Sequence, residues 1–319
     1  MSRLIDVADA AAMLSTAEDV LLLTHQYPDG DTIGSAFALC RALRGLGKRA
    51  RVACADAIPE KYDYLFEDLE EQDFEPQLIV AVDVADPKLL GSLQSVYNGR
   101  IDLCIDHHGS NTEYADYLLL RADYAAAAMV VCEVLRAMNV TFTNAMAECI
   151  YTGLSTDTGC FKYSNAGAYA HRMAADMMDI GIRYDMINRT MFDIKSRARV
   201  ELERRALSGM RFYRNDKIAV MPITCAMIDE SGAAENDMEG LAPLPRQIEG
   251  VWVGVTLREK ANKEFKISVR TGNHADAAAI CKELGGGGHV RAAGCSLQGE
   301  LDDVIQTMVD TIVSVVDRI

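Results

Sequence analysis

Residues 20–35 read VLLLTHQYPDGDTIGS, a short unbroken apolar run, then a polar loop, then the opening of a helix. An apolar run of this length, ended by polar and turn residues, is the signature of a strand buried in a parallel sheet. A helix is expected over about residues 32–47. Working outward, residues 49–53, 78–82 (LIVAV) and 101–105 (IDLCI) read as further strands, and residues 4–16 as a helix. Strands alternating with helical or loop segments predict a parallel sheet covered by helices. Residues 124–138, 145–156 and 165–180 have helical spacing and complete this domain, their methionines serving as core filler.

The charged segment 195–213, KSRARVELERRALSGMRFY, reads equally as an exposed connecting helix and as a plain surface helix. Beyond it, residues 218–224, 250–257 and 265–269 read as strands and 275–284 and 301–316 as helices. The expected architecture is α/β: a parallel-sheet domain with helices on both faces (1–194), a connecting helix (195–214) and a smaller α/β domain (215–319).

Half of the 319 residues are apolar, enough for a sizeable core, and the 30 glycines and prolines follow no repeat, which excludes fibrous and low-complexity classes. The formal charge of −15 repels long polyanions and argues against coating nucleic acid, but leaves small phosphate-bearing substrates open. Nine scattered cysteines without a C-x-x-C pair predict reduced packing residues rather than a disulfide or zinc framework. Asp6 and Asp9 interrupt the first residues where a secretory signal needs an apolar run, and no segment approaches the roughly 18 apolar residues of a membrane span, so a cytoplasmic location is expected.

Three of the strands run directly into polar residues, and the carboxyl ends of parallel strands are where open α/β sheets bind ligands. After the first come His25, Asp29 and Asp31, a set suited to a divalent ion such as Mn²⁺ or Mg²⁺. Taken singly, Asp31 is equally a helix N-cap, and Pro28-Asp29-Gly30 equally a turn. After IDLCI come Asp106, His107 and His108; two adjacent histidines have little packing rationale, and three of the six histidines lie in these two loops. Asp83 follows LIVAV, and Asp157 lies near the end of a helical segment in STDTGCFKYSN. Four converging carboxylates repel and raise one another's pKa unless cations offset them; two divalent ions bring their formal sum to zero. Two ions about 3.5–4 Å apart activate water and clamp both oxygens of an in-line displacement at phosphorus. That chemistry predicts phosphoester hydrolysis.

A third cluster, residues 284–294 (LGGGGHVRAAG), sets four glycines beside His289 and Arg291, a composition that lets backbone N–H groups and two side chains face an anion. Arg270 ends the expected strand FKISVR and is equally a surface residue.

The ordered set HQYPDGD, Asp83, DHH at 106–108, STDTG and GGGGH resembles the DHH phosphoesterases, and among them the two-domain nanoRNases that also dephosphorylate 3′-phosphoadenosine 5′-phosphate. The resemblance implies two divalent ions, Mn²⁺ first with Mg²⁺ or Co²⁺ open. His25, Asp29 and Asp83 would hold one; Asp31, Asp83, His107 and Asp157 would hold the other. Asp83 would bridge them, His108 would contact the scissile phosphate, and Asp106 would orient the histidines. Gly286, Gly287, Gly288 and His289, with Arg291, Ser268 and Arg270, would hold the nucleotide. The implied substrates are short single-stranded RNA, linear dinucleotides such as pApA and the nucleoside bisphosphate, with no long duplex and no membrane; a homodimer is plausible by the same resemblance. Gln26 and Tyr27 are a less usual spacer that leaves the liganding positions intact.

Three alternatives compete. A manganese pyrophosphatase shares the metal motifs but lacks GGGGH, and single-strand exonucleases of the superfamily are longer. A nucleotide-binding regulator that has lost turnover is opposed by the intact ligand set.

Overall fold

The computed structural model describes residues 2–238 and 240–316. By internal contacts the chain divides after Ile194 into two units.

The first unit runs β1 (Arg3–Leu4), α1 (Val7–Thr16), β2 (Asp19–Leu23), α2 (Gly30–Gly45), β3 (Arg49–Ala53), β4 (Leu78–Val82), α3 (Gln94–Tyr97), β5 (Leu103–Asp106), β6 (Tyr117–Leu120), α4 (Ala127–Ala137), α5 (Asn144–Asp157), α6 (Ala168–Ile180) and α7 (Tyr184–Asn188). Its six strands pair in the order β1-β6-β5-β4-β2-β3, every pair parallel. The order reverses at β2, which has β3 on one side and β4 on the other; such a reversal opens a crevice at the strands' carboxyl ends.

Alternate residues of the central strands feed two cores. Val20, Leu22, Val80 and Val82 pack under the long helices with Leu14, Ile33, Leu39 and Ile150, while Leu21, Leu23, Ile79 and Ala81 pack with Leu90 and Ile101. Burying each large aliphatic side chain contributes about 1.5–3 kcal/mol. Helical cover is therefore two-sided but unequal: α1, α2 and α4 against one face, the 3₁₀ segment Pro87–Leu93, kinked at Gly91, and α3 against the other. Helices α2 and α5 approach closely at glycines; a Cβ on Gly34 would lie 2.3 Å from the Cys149 carbonyl oxygen.

The second unit holds α8 (Arg197–Ser208), β7 (Arg211–Tyr213), β8 (Ile218–Ile223), α9 (Cys225–Ser231), β9 (Val253–Glu259), β10 (Glu264–Thr271), α10 (Ala277–Glu283), β11 (Gly287–His289), β12 (Ala292–Gln298) and α11 (Leu301–Val316). Its mixed sheet, ordered β11-β12-β10-β9-β8-β7, is parallel at β8–β9 and antiparallel elsewhere. Helices α10 and α11 cover one face through Ile280, Ile305, Met308 and Ile312. Where a connecting helix was expected, α8 instead buries Leu202 and Ala206 against Met221 and Ile223 of β8, and β7 pairs with β8. The segment is thus built into the second unit through Leu202 and Ala206, while Val200 and Leu207 stay exposed.

The sequence pattern does not foresee strands β1, β6, β7, β11 and β12, and the strand expected at 101–105 starts two residues later and ends one later, at Asp106. All nine cysteines carry free thiols. Among the described residues no helix is long and apolar enough to cross a membrane.

Candidate metal centre

Neighbouring strands β2, β4 and β5 deliver their following residues to one place. His25 lies just beyond β2; Asp29 caps α2, accepting the Asp31 and Thr32 amides at 3.0 and 3.1 Å. The helix N-cap is thus Asp29 and not Asp31, which sits one residue inside the helix, fully buried. Asp31 accepts the backbone N–H groups of Ala127 (2.6 Å) and Ala128 (2.8 Å), so it caps α4, a helix whose own N-cap residue, Ala126, has no side chain to do so. Asp83 follows β4 with φ 60°, a left-handed conformation uncommon outside glycine, and donates its N–H to the Ile105 carbonyl at 2.9 Å. Asp157 is the last residue of α5.

The side chains converge without touching. His107 Nε2 lies 3.3 Å from Asp157, 3.6 Å from Asp83 and 3.7 Å from Asp31. His25 Nε2 lies 3.6 Å from Asp29 and 3.8 Å from Asp83. These gaps exceed ordinary hydrogen bonds. Two ligand atoms each about 2.1 Å from a shared ion stand about 3.0–3.4 Å apart, close to these separations. Two three-residue sets have ligand atoms within 4.8 Å of one another, His25 with Asp29 and Asp83, and Asp31 with His107 and Asp157; Asp83 also groups with His107 and His108.

Both inner histidines are held in one tautomer. His25 Nδ1 meets the Gln26 carbonyl at 2.8 Å and His107 Nδ1 the Tyr124 carbonyl at 3.2 Å. Since a carbonyl only accepts, each Nδ1 carries the proton and each Nε2 directs a lone pair into the site, as a ligand histidine must. Among the described residues, Asp83 Oδ1 and His107 Nε2 have no hydrogen-bond partner, and both are buried. Orphaned buried polar atoms of this kind are costly unless something pairs with them.

The electrostatics agree. Burial, then the charges of Asp31, Asp29 and Asp157, push the Asp83 carboxyl well above its usual range; burial with Asp31 and Asp29 pushes Asp157 up to about 9, and burial also raises Asp31. Without cations the cluster is short of positive charge, and divalent ions fit both the donor set and that deficit.

Asp106 plays a different part. Fully buried, it accepts the N–H groups of His107 (2.7 Å) and His108 (3.1 Å), His108 Nδ1–H (2.8 Å) and the Asn111 amide (2.6 Å). Although burial opposes it, the bonds from His108 and Asn111 hold its pKa below the usual range. The same Asp106 hydrogen bond raises the pKa of His108, whose ring is 44% exposed. Asn111 escaped the sequence reading; its only local mark is a turn, closed by its own bond from the Glu113 amide.

In the second unit, Lys266, Ser268 and Arg270 line an open groove of about 760 Å³ on one sheet face with Gly287, Gly288 and Ser296. The glycine run is not a loop: Gly287–His289 pair with residues 292–294 as the edge of a hairpin, and the Gly286 N–H is taken by the Cys281 carbonyl. A Cβ on Gly286 would lie 2.2 Å from the Gly294 carbonyl oxygen, so close backbone approach explains that glycine. His289 is exposed. Arg291 is committed elsewhere, to the Gly272 and Ala275 carbonyls and the Asn273 side chain, because the 272–275 turn offers its guanidinium three acceptors.

Residues 19–154 match the DHH family, N-terminal domain, and residues 215–316 match the DHHA1 domain. A bifunctional oligoribonuclease and PAP phosphatase NrnA of Thermus thermophilus is 32% identical, over 92% of this chain and 89% of its own. The chain belongs to the DHH family. It is a hydrolase of phosphoester bonds, in a family dependent on divalent metal. The Mycoplasma pneumoniae enzyme of the same name is 22% identical over 93% of both chains. An exopolyphosphatase-related protein of Bacteroides fragilis shares the fold, with a TM-score of 0.88 at 22% identity over 98% of this chain and 96% of its own.

Proposed function

We propose that this DHH-family chain hydrolyses short oligoribonucleotides and linear dinucleotides such as pApA to mononucleotides, removes the 3′-phosphate of 3′-phosphoadenosine 5′-phosphate, and uses two divalent ions, Mn²⁺ by preference. The observation that carries the reading is the pair of buried, unpartnered atoms Asp83 Oδ1 and His107 Nε2, 3.6 Å apart where β4 and β5 end. The relatives from T. thermophilus and M. pneumoniae carry both activities in their names, which supports assigning both.

His25, Asp29 and Asp83 would hold one ion and Asp31, Asp83, His107 and Asp157 the other, with Asp83 common to both. Bound there, the pair would supply an activated water and charge for the phosphoryl oxygens. The protein's own groups do the rest. Gln26 and Tyr124 carbonyls keep the His25 and His107 lone pairs inward. Asp106 fixes the His108 ring through Nδ1, and its charge favours a proton on Nε2, where an exposed imidazolium would bind the scissile phosphate. Arg270, Ser268, His289 and the glycine hairpin would hold the nucleotide at the second unit's groove; Arg291 would act by shaping the adjoining turn. A net charge of −15 favours short substrates over long polyanions.

The test is to incubate the protein with Mn²⁺ and, separately, pApA, a five-residue RNA, 3′-phosphoadenosine 5′-phosphate and pyrophosphate, resolving the products by chromatography. Mononucleotides from the first two, adenosine 5′-phosphate from the third and intact pyrophosphate are expected. Asp83→Ala should abolish turnover, by more than about a hundredfold, with the fold intact. Cleavage of pyrophosphate alone, or full activity in Asp83→Ala, would refute the reading.

A further inference from the structure

Five residues, 124–128 (YAAAA), carry no metal-ligating side chain, yet their backbone bonds His107 and Asp31 directly and is linked to Asp157 through Asn165. The Tyr124 carbonyl receives His107 Nδ1–H. The Ala127 and Ala128 amides donate to Asp31 at 2.6 and 2.8 Å. The Ala125 carbonyl accepts the Asn165 side-chain amide at 3.3 Å, and the same amide group bonds the Asp157 carbonyl at 3.1 Å. None of these contacts reaches the other set: His25 is oriented by the Gln26 carbonyl and Asp29 by its own helix.

The strip itself needs anchoring, and four of its five residues are alanines, which offer no polar side chain. Tyr124 supplies the anchor. Its hydroxyl donates to Glu133 Oε1 at 2.6 Å, and the Tyr169 hydroxyl donates to the same oxygen at 2.8 Å. Arg121 donates to Glu133 Oε2 at 3.3 Å and stacks its guanidinium 3.9 Å from the centre of the Tyr124 ring. Glu133 thus accepts three hydrogen bonds, two of them from groups that clasp or constitute Tyr124. Holding that side chain fixes where its carbonyl lies, and with it the direction of the His107 lone pair.

We propose that Tyr124 and Glu133 are positioning residues for the metal half-site of Asp31, His107 and Asp157, acting through the 124–128 backbone. The role rests on the two-ion reading given above, and it predicts an asymmetry that general destabilisation does not: one ion weakens and the other does not.

The experiment titrates metal-stripped protein with Mn²⁺, following free Mn²⁺ by electron paramagnetic resonance without substrate. The parent should bind two ions tightly. In Tyr124→Phe, which keeps the ring and loses the hydroxyl, and in Glu133→Ala, one ion should bind as in the parent and the other about tenfold or more weakly, the range of lost supporting contacts to a ligand. Glu133→Gln, whose amide oxygen still accepts from Tyr124, should recover most of the loss. Two tight ions in every variant would overturn the positioning role and leave the metal site standing, and equal weakening of both would overturn it as non-selective. No tight ion in the parent would remove the two-ion reading and this role with it. Should Glu133→Ala fail to fold, ¹⁵N resonances of His107 in the metal-free parent and in Tyr124→Phe decide: Nδ1 protonated in the parent and mixed tautomers in the variant support the role, whereas an Nε2–H parent, or identical tautomers in both, overturns it.

Discussion

The metal cluster and the second unit's groove solve opposite problems. The cluster is buried and over-determined: Asp31 is fully buried and accepts two α4 amides and the Ser35 hydroxyl, and Asp83 is held in a left-handed conformation. The groove is open, with a floor of glycine and serine, two cations, Lys266 and Arg270, on one strand, and Lys260 and Glu264 also lining it. A reaction centre must hold charges where they do not wish to be; on the proposed function, the groove would take short nucleotides, for which room and a few donors suffice. Changes to the first should therefore register in stability and metal affinity, and changes to the second in substrate capture.

The largest expected effect is that of the ions themselves. Each divalent ion present at a hundred times its dissociation constant adds about 2.7 kcal/mol to the folded state. In the metal-free protein the Asp157 carboxyl should act oppositely to paired carboxylates such as Asp106 and Glu148, whose contribution to stability is lost in acid. Asp157, pushed up to about 9 when folded against an ordinary value near 4, holds an extra proton in the folded state between those values. Its contribution to stability is therefore full below about pH 4 and is lost as pH rises through 9. Thermal melts of chelator-treated protein from pH 5 to 9 should show a decline that Asp157→Asn flattens and Mn²⁺ abolishes. Identical slopes for parent and Asp157→Asn would break the contrast at its root.

Next in size, glycine-to-alanine exchanges sharpen it. Gly34→Ala forces α2 off α5 and should cost about 1–3 kcal/mol, read as a lower melting temperature and weaker Mn²⁺ binding. Gly287→Ala meets nothing within 4 Å and should leave the melt almost unmoved. Smallest is His289→Ala: about a tenfold rise in KM for pApA, near 1.4 kcal/mol, with far less change on a generic aryl phosphodiester. Equal losses on both substrates would detach His289 from nucleotide capture.

Much of this was written locally. VLLLT, LIVAV and IDLCI are short apolar runs ending in charge, and a buried parallel strand leaves few other readings; the polar residues after them converge as expected. What stayed hidden depends on partners far away in sequence. Strand β12 reads AAGCSLQ, with no β-branched residue, and is a strand because it pairs with β10 along seven positions. The four-residue YLLL of β6 is too brief to separate from a helical fragment. The cap that Asp31 gives α4 spans 96 residues of sequence. Nothing in the neighbourhood of Arg291 announces the three acceptors its guanidinium finds in the turn at 272–275.

A ligand already employed as a helix cap does not wait for its metal in order to find its place. In modules whose ligands are free until the ion arrives, folding and loading are one event, and a chelator unravels both. Here Asp31 is fastened to α4, Asp29 to its own helix and His107 to the Tyr124 carbonyl, each by bonds that involve no ion. The fold itself thus positions these side chains. On the two-ion proposal, loading should then be a docking step, and protein stripped of metal should keep its circular dichroism spectrum and regain activity on mixing, without a refolding lag.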